Sequence, residues 1–173
     1  MFYAPKKLET TLAIISINAF FFEIQRTINS AAFLTHDCEK LAIIPFETAL
    51  ESSVSCPVYN GGYCITSMID QAIKRSKTEW VLLVFSGANL QKNLDVKYSK
   101  YIETYKDVLF PVANRIWTFP EGSMNGIYIN KKFHEEVGDF GRGDNLEITK
   151  LNWTSRALDR GGKFKAIVGV QNL

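Results

Sequence analysis

Short apolar runs alternate with stretches of helical periodicity along this chain. Thr11–Asn18 is an Ile-rich run of strand length, and Phe20–Leu34 then sets Phe20, Ile24, Ile28 and Ala31 on one helical face. Leu41–Phe46 is a second short apolar run, stopped by Pro45, and Ser53–Tyr59 predicts a third strand that ends at the turn Asn60-Gly61-Gly62. The strongest helix signal follows, with Ile65, Met68, Ile69, Ala72 and Ile73 at i, i+3, i+4, i+7 and i+8. Trp80–Phe85 is apolar throughout, as in a strand covered on both faces. Tyr98, Tyr101, Ile102 and Tyr105 mark another helix, Val108–Val112 a short strand containing Pro111, and Ser123–Asn130 a strand with a Gly in it. Lys131–Val137 predicts a short helix with Gly138 as a left-handed cap. The last helix should run from near Asp144 to about Arg160, where Gly161-Gly162 stops it, and Phe164–Val170 is a closing strand. This alternation predicts a three-layer α/β fold with a mostly parallel central sheet. At 173 residues, one domain spanning residues 1–173 is the expectation.

Composition narrows the picture only slightly. Hydrophobic residues at 46% and charged residues at 22% are ordinary for a soluble globular chain, and a net charge of +2 is too small to argue for nucleic acid, so no nucleic-acid partner is expected. Its distribution says more. From Lys150 onward five basic residues (Lys150, Arg156, Arg160, Lys163, Lys165) face one acid, Asp159. Such a segment suits an anionic ligand such as a diphosphate, or is simply a solvated helix face. Cys38, Cys56 and Cys64 are odd in number and lack Cys-x-x-Cys spacing, which reads as reduced thiols in a cytoplasmic protein. His36-Asp37-Cys38 is read as a turn rather than a metal or nucleophile site. Leu12–Phe22 follows two lysines, but Asn18 interrupts it and Glu23 and Arg26 follow, so it is read neither as a signal peptide nor as a membrane span.

Chemistry in an open α/β sheet concentrates just past the carboxyl ends of the strands. Trp80–Leu90 reads as a strand that breaks off at Ser86-Gly87-Ala88-Asn89, with no Asp or Glu between Trp80 and Lys92 to hold a metal ion. Ser86 and Asn89 could hydrogen-bond a phosphate or sugar hydroxyl there, or serve only as a tight turn. Asn60-Gly61-Gly62 could bring backbone N–H groups to a ligand at a helix start, or be a plain turn. Asp144-Asn145-Leu146-Glu147 resembles a capping box opening a helix, where both acids oppose the helix dipole.

Four segments in order resemble the nucleotide-sugar glycosyltransferases of the GT-A fold, especially the inverting family 2. They are Ile14-Ile15-Ser16-Ile17-Asn18; Asn60-Gly61-Gly62 with Ile69-Asp70-Gln71-Ala72-Ile73 and Glu79-Trp80-Val81-Leu82-Leu83; Gly126–Phe133 with Val137-Gly138-Asp139-Phe140; and Arg156-Ala157-Leu158 with Gly161, Lys163 and Phe164. The resemblance implies a Rossmann-like GT-A domain that moves a sugar from a nucleoside-diphosphate sugar, a UDP-sugar first, to a glycan or other hydroxyl acceptor. It implies donor contacts from Ser16, Asn18, Glu47, Asn60, Gly62, Ser86 and Asn89, and acceptor-side contacts from Asn125 and Gly126. Glu47 is the acid nearest to the family's uridine-binding Asp, which this chain lacks.

The departures set the expected mechanism. The family's Asp-x-Asp, which holds a divalent ion on the donor diphosphate, falls on Phe85-Ser86-Gly87. No metal or other cofactor is therefore expected, and Arg156, Arg160 and Lys163 are the candidates to neutralise the diphosphate. An inverting transfer needs a carboxylate to take the acceptor's proton, and Asp144 and Glu147 are the acids in the right region. A glycosyltransferase-like module that has lost catalysis and binds a nucleotide, glycan or protein partner is the alternative. A nucleotidyltransferase of related architecture fits less well, because Asn18-Ala19-Phe20-Phe21 replaces that family's Gly-rich basic loop. Nothing in the sequence decides between a monomer and a homo-oligomer.

Overall fold

In the main sheet of seven strands, a single strand runs against the rest. The computed structural model describes residues 9–45, 54–106, 116–121, 126–143, 145–168 and 170–172. Its elements follow in the order β1 (Thr10–Ile15), α1 (Phe21–Ser30), a 3-10 turn (Ala31–Phe33), β2 (Glu39–Ile44), β3 (Val58–Asn60), α2 (Ile65–Arg75), β4 (Trp80–Phe85) and β5 (Ala88–Leu90). Then come α3 (Leu94–Lys106), β6 (Ile116–Glu121), β7 (Gly126–Asn130), α4 (Lys131–Val137), α5 (Leu146–Asp159), β8 (Lys163–Val168) and β9 (Val170–Asn172). The main sheet has the order β3-β2-β1-β4-β7-β6-β8, and β5 pairs with β9 in a separate ribbon. Strand β7 is antiparallel to both β4 and β6, so the other six share one direction.

Period-two alternation along the central strands makes the three layers. Leu12, Ile14, Leu82 and Val84 point to one face and pack with Ile24 and Ile28 of α1 and Tyr98 of α3. Ala13, Ile15, Val81 and Leu83 point to the other, against Met68, Ala72 and Ile73 of α2, Phe133 of α4 and Trp153 of α5. Both faces are thus covered, and this is why β4 is apolar throughout and β1 is buried at every position. The expected α/β architecture with a mostly parallel sheet is the one observed.

Local signals set the element ends. Asn130 caps α4 by accepting the Phe133 N–H at 3.0 Å, and Gly138 ends that helix with a φ of 91°. Trp80–Phe85 and Lys131–Val137 have the bounds read from sequence. The third strand is shorter than expected, starting after Pro57, which has no N–H to give to a ladder. The closing run is two strands in two sheets rather than one. Strand β6 was not anticipated, because Pro120 breaks up its apolar run; its pairing to β7 stops at Trp117 and Thr118, leaving the proline beyond it. The expected strand Val108–Val112 lies outside the described residues. No helix among the described residues is long and apolar enough to cross a membrane.

Candidate functional site

Parallel pairing brings the polar ends of the two central strands side by side. Ile15 is level with Phe85, so Ser16 and Ser86 are the next residues on neighbouring strands. The Ser16 N–H donates to the Ile43 carbonyl at 2.9 Å, and the Ser86 N–H donates to the Ile15 carbonyl at 2.9 Å, which extends the ladder one residue past each strand. Ser16 is fully buried, and its hydroxyl has no hydrogen-bond partner among the described residues. Asn18 is exposed two residues on. Between them and α1 the chain passes through Ala19, whose φ of 50° is unusual for a residue with a side chain.

The Ser86-Gly87 turn is tied to α1 rather than left open. The Gly87 N–H donates to Thr27 Oγ1 at 3.0 Å, and the Gly87 carbonyl accepts from the Arg26 guanidinium at 3.0 Å. A φ of 90° at Gly87 allows the reversal. The chain then enters β5 at once, so Asn89 stands opposite Gln171 in the ribbon. Sequence reasoning read these positions as an abrupt strand break; the break is a two-residue turn between strands of two sheets.

The end of β3 completes the edge. Asn60 is exposed, while Gly61 and Gly62 are buried. The Gly61 N–H is already used, donating to the Ile44 carbonyl at 2.9 Å, and the Gly61 carbonyl accepts from Ser67 Oγ at 3.0 Å. The turn is thereby fixed to the first turn of α2. Cys64 stands at the N-cap position of that helix, where its sulfur meets Thr66 Oγ1 at 2.9 Å and the Gly143 carbonyl at 3.3 Å. The hydrogen bond with Thr66 lowers the Cys64 thiol pKa, against a smaller opposing effect of burial.

The Cys64–Gly143 contact places the start of α5 at the same edge. Asn145 is the cap, accepting from the Glu147 and Ile148 N–H groups at 3.0 and 3.2 Å. Glu147 is exposed on the first turn. Burial lowers the pKa of neighbouring Lys150, and Glu147 partly offsets that. Gly126 begins β7 opposite Val84, which sets it beside the carboxyl end of β4. Glu47, Asn125 and Asp144 lie outside the described residues.

The basic residues assigned to the diphosphate lie away from this edge. Arg156 donates to the Asp139 carbonyl at 2.6 Å, and Asp139 pairs with Lys74 in the last turn of α2, at the end of that helix remote from Cys64. Lys163 opens β8 opposite Ile116, and the register through β6 and β7 sets it level with Trp80, where β4 begins. Six strand positions, roughly 20 Å at about 3.3 Å per residue, separate that level from Ser86. Arg160, next to β8 in sequence, ends α5 on this side. The three sit toward the amino edge because α5 runs parallel to α2, away from the strand ends. Sequence showed the cluster of charge but not the direction of the helix carrying it.

Two features were missed. Arg26 is the guanidinium bound to the turn after β4, yet in sequence it looks like any solvated helix position. Asp70, His134 and Asp139 converge from α2, α4 and the segment after α4, a grouping no sequence spacing reveals. A cleft of about 610 Å³ lined by Ile28, Leu34, His36 and Lys40 opens beside the start of β2, and none of the expected donor residues line it.

No protein-family model matches this chain, and no curated protein matches it in sequence. Solved structures do match. S. aureus TarS superposes with a TM-score of 0.66 at 10% identity, over 95% of this chain and 36% of TarS. S. aureus TarS 1-349 in complex with UDP gives 0.68 at 12% identity, over 96% of this chain and 61% of that one. The chain thus spans between about a third and three fifths of these neighbours, and it shares their fold, the GT-A fold.

Proposed function

We propose that this chain transfers a sugar from a nucleoside-diphosphate sugar to a hydroxyl acceptor, with the donor lying across the carboxyl ends of β1, β3 and β4. The observation that carries the reading is the pair of adjacent polar strand ends, Ser16 beside Ser86. It is supported by a fold shared over 96% of the chain with a TarS structure holding UDP. In this reading Ser16 and Asn18 meet the nucleoside, Asn60 and Gly62 flank it, and Ser86 and Asn89 reach the phosphates or the sugar.

The leaving diphosphate needs positive charge to offset what develops on it. The stretch from Trp80 to Lys92 has no carboxylate to hold a divalent ion. Arg26, held at the Gly87 carbonyl, is a cation beside this turn, and we assign it the neutralising role in place of Arg156, Arg160 and Lys163. For an inverting transfer, Glu147 or Asp144 takes the proton of the acceptor hydroxyl as its oxygen bonds to the anomeric carbon. The bond from that carbon to the diphosphate breaks, and the nucleoside diphosphate leaves with the electron pair.

Hydrolysis and binding of a nucleotide-sugar panel, with and without EDTA, test this. EDTA-resistant turnover that falls by about 10²–10⁴-fold in Glu147→Gln, with donor binding intact, supports Glu147 as the base. A donor affinity lowered in Arg26→Ala supports the neutralising role. Manganese-dependent turnover defeats the metal-free mechanism, and no binding of any nucleotide sugar defeats the donor site. Binding without turnover points to a non-catalytic module, a reading that the absence of an acid at the β4 turn favours.

A further inference from the structure

We propose that Asp70, His134 and Asp139 bind one divalent cation of the zinc class, on the flank of the sheet below the carboxyl edge. The three donor atoms lie within 4.8 Å of one another. His134 Nε2 stands 3.4 Å from Asp70 Oδ1 and 3.9 Å from Asp139 Oδ1. Tetrahedral zinc with bonds of about 2.0–2.1 Å needs ligand atoms ~3.3–3.4 Å apart, so small shifts of the exposed Asp139 would close the site.

The second observation is the state of the histidine. His134 is 1% exposed, yet neither ring nitrogen has a hydrogen-bond partner among the described residues. Buried polar atoms are nearly always satisfied, and an orphaned imidazole beside two carboxylates asks for an explanation. A protonated His134 bridging the two carboxylates is the rival. Charge-assisted hydrogen bonds run to about 2.7–2.9 Å, well short of the separations found here. An ion between the groups fits those separations better than a proton does.

The surroundings hold the ligands as a metal site requires. Asp70 is 6% exposed, and its carboxylate accepts the Phe140 N–H at 2.9 Å and the Gly141 N–H at 3.3 Å, which fixes its orientation. Lys74 occupies Asp139 Oδ2 at 2.7 Å and leaves Oδ1 toward the histidine. Phe140 and Trp153 stack on the imidazole with ring centroids 5.5 and 5.7 Å away, holding its plane. Half of the Asp139 side chain is exposed, which gives an entry path and room for a water as fourth ligand. One imidazole and two carboxylates suit zinc or cobalt, whereas magnesium and calcium favour all-oxygen sets. The site would pin the segment after α4 onto α2, and with it the start of α5. It does not depend on the donor-site reading, and its test needs no sugar nucleotide.

The EDTA-stripped protein is titrated with Zn²⁺ by calorimetry and with Co²⁺ by visible absorption. One equivalent should bind, with a tetrahedral cobalt spectrum and a melting temperature that rises with Zn²⁺ concentration. Asp139→Asn, on the surface and checked for folding by circular dichroism, should weaken binding by at least about tenfold, the lower end of what losing even an outer partner costs. His134→Gln should do the same, and Cys64→Ser should leave binding unchanged. The proposal is overturned by no saturable binding, by binding that survives Asp139→Asn, or by binding that Cys64→Ser abolishes.

Discussion

Gly61→Ala tests whether the turn before α2 is held by packing. A Cβ at this position would overlap the Ile43 Cγ2 methyl and sit 3.1 Å from both Cα and Cγ of Met68. None of these neighbours yields easily. Ile43 is fully buried, paired to Ile15 on one side and Tyr59 on the other, and its Cγ2 branches from Cβ, so no χ2 rotation moves it. Met68 contributes helix backbone, and the Met68 side chain is buried. Residue 61 would have to move instead, stretching its N–H bond to Ile44 and its carbonyl bond to Ser67. Overpacking of this kind costs about 1–3 kcal/mol, and the loss of unfolded-chain entropy on Gly→Ala returns only about 0.4–1 kcal/mol. A net destabilisation of about 1–2 kcal/mol follows. Urea unfolding followed by tryptophan fluorescence reads it as a lower midpoint at unchanged m. A second substitution makes the test specific. Ile43→Ala removes the obstructing methyl and alone costs about 2–5 kcal/mol, but combined with Gly61→Ala it should fall short of the sum by at least ~0.5 kcal/mol. An unchanged midpoint for Gly61→Ala, or strict additivity in the cycle, would refute the steric account.

Three further outcomes are expected. Asn145→Ala removes the acceptor for two N–H groups at the start of α5 and should lower stability by about 1 kcal/mol in urea unfolding, while Asn145→Gly should cost only a few tenths. Burial raises the Asp95 pKa, but the Thr35 N–H and the His36 side chain and N–H outweigh it and hold the carboxyl below its usual range. A depressed carboxylate contributes stability above its unfolded pKa and loses it as pH falls through the lower folded value. Asp95→Asn should therefore destabilise at pH 7, with the melting-temperature gap closing below about pH 4. Among the thiols, the Cys64 pKa is lowered, while burial raises Cys38 and pushes Cys56 up to about 11, with Lys40 opposing in both. Time-resolved alkylation read by peptide mass spectrometry should show Cys64 modified first; faster labelling of Cys56 would contradict this.

The fold was legible where burial imposes a period. Strands covered on both faces, such as Trp80–Phe85, and the stripe of α2 declare themselves because core packing leaves few other arrangements. Strand β6 escaped notice because Pro120 interrupts its pattern, and β5 because three residues are too few to show one. The candidate site was half legible. Ser16, Asn60 and Ser86 follow from the rule that parallel strands end on one edge, so finding the strands finds the residues. The place of Arg156 and Arg160 toward the amino edge was not legible, because charge along a helix carries no information on which way the helix runs. Arg26 and His134 depend on contacts between segments far apart in sequence, and only the tertiary fold supplies those.

The ribbon of β5 and β9 carries a kinetic consequence. It joins residues 88–90, directly after the Ser86-Gly87 turn, to residues 170–172. Closing so long a loop is entropically slow to be rewarded, and chain emerging from the ribosome reaches β5 well before its partner exists. The parallel strands β1, β2 and β4 can assemble earlier, since all their residues precede β5. Asn89 therefore acquires its strand neighbour Gln171 only after the strands that precede β5 have had time to pair.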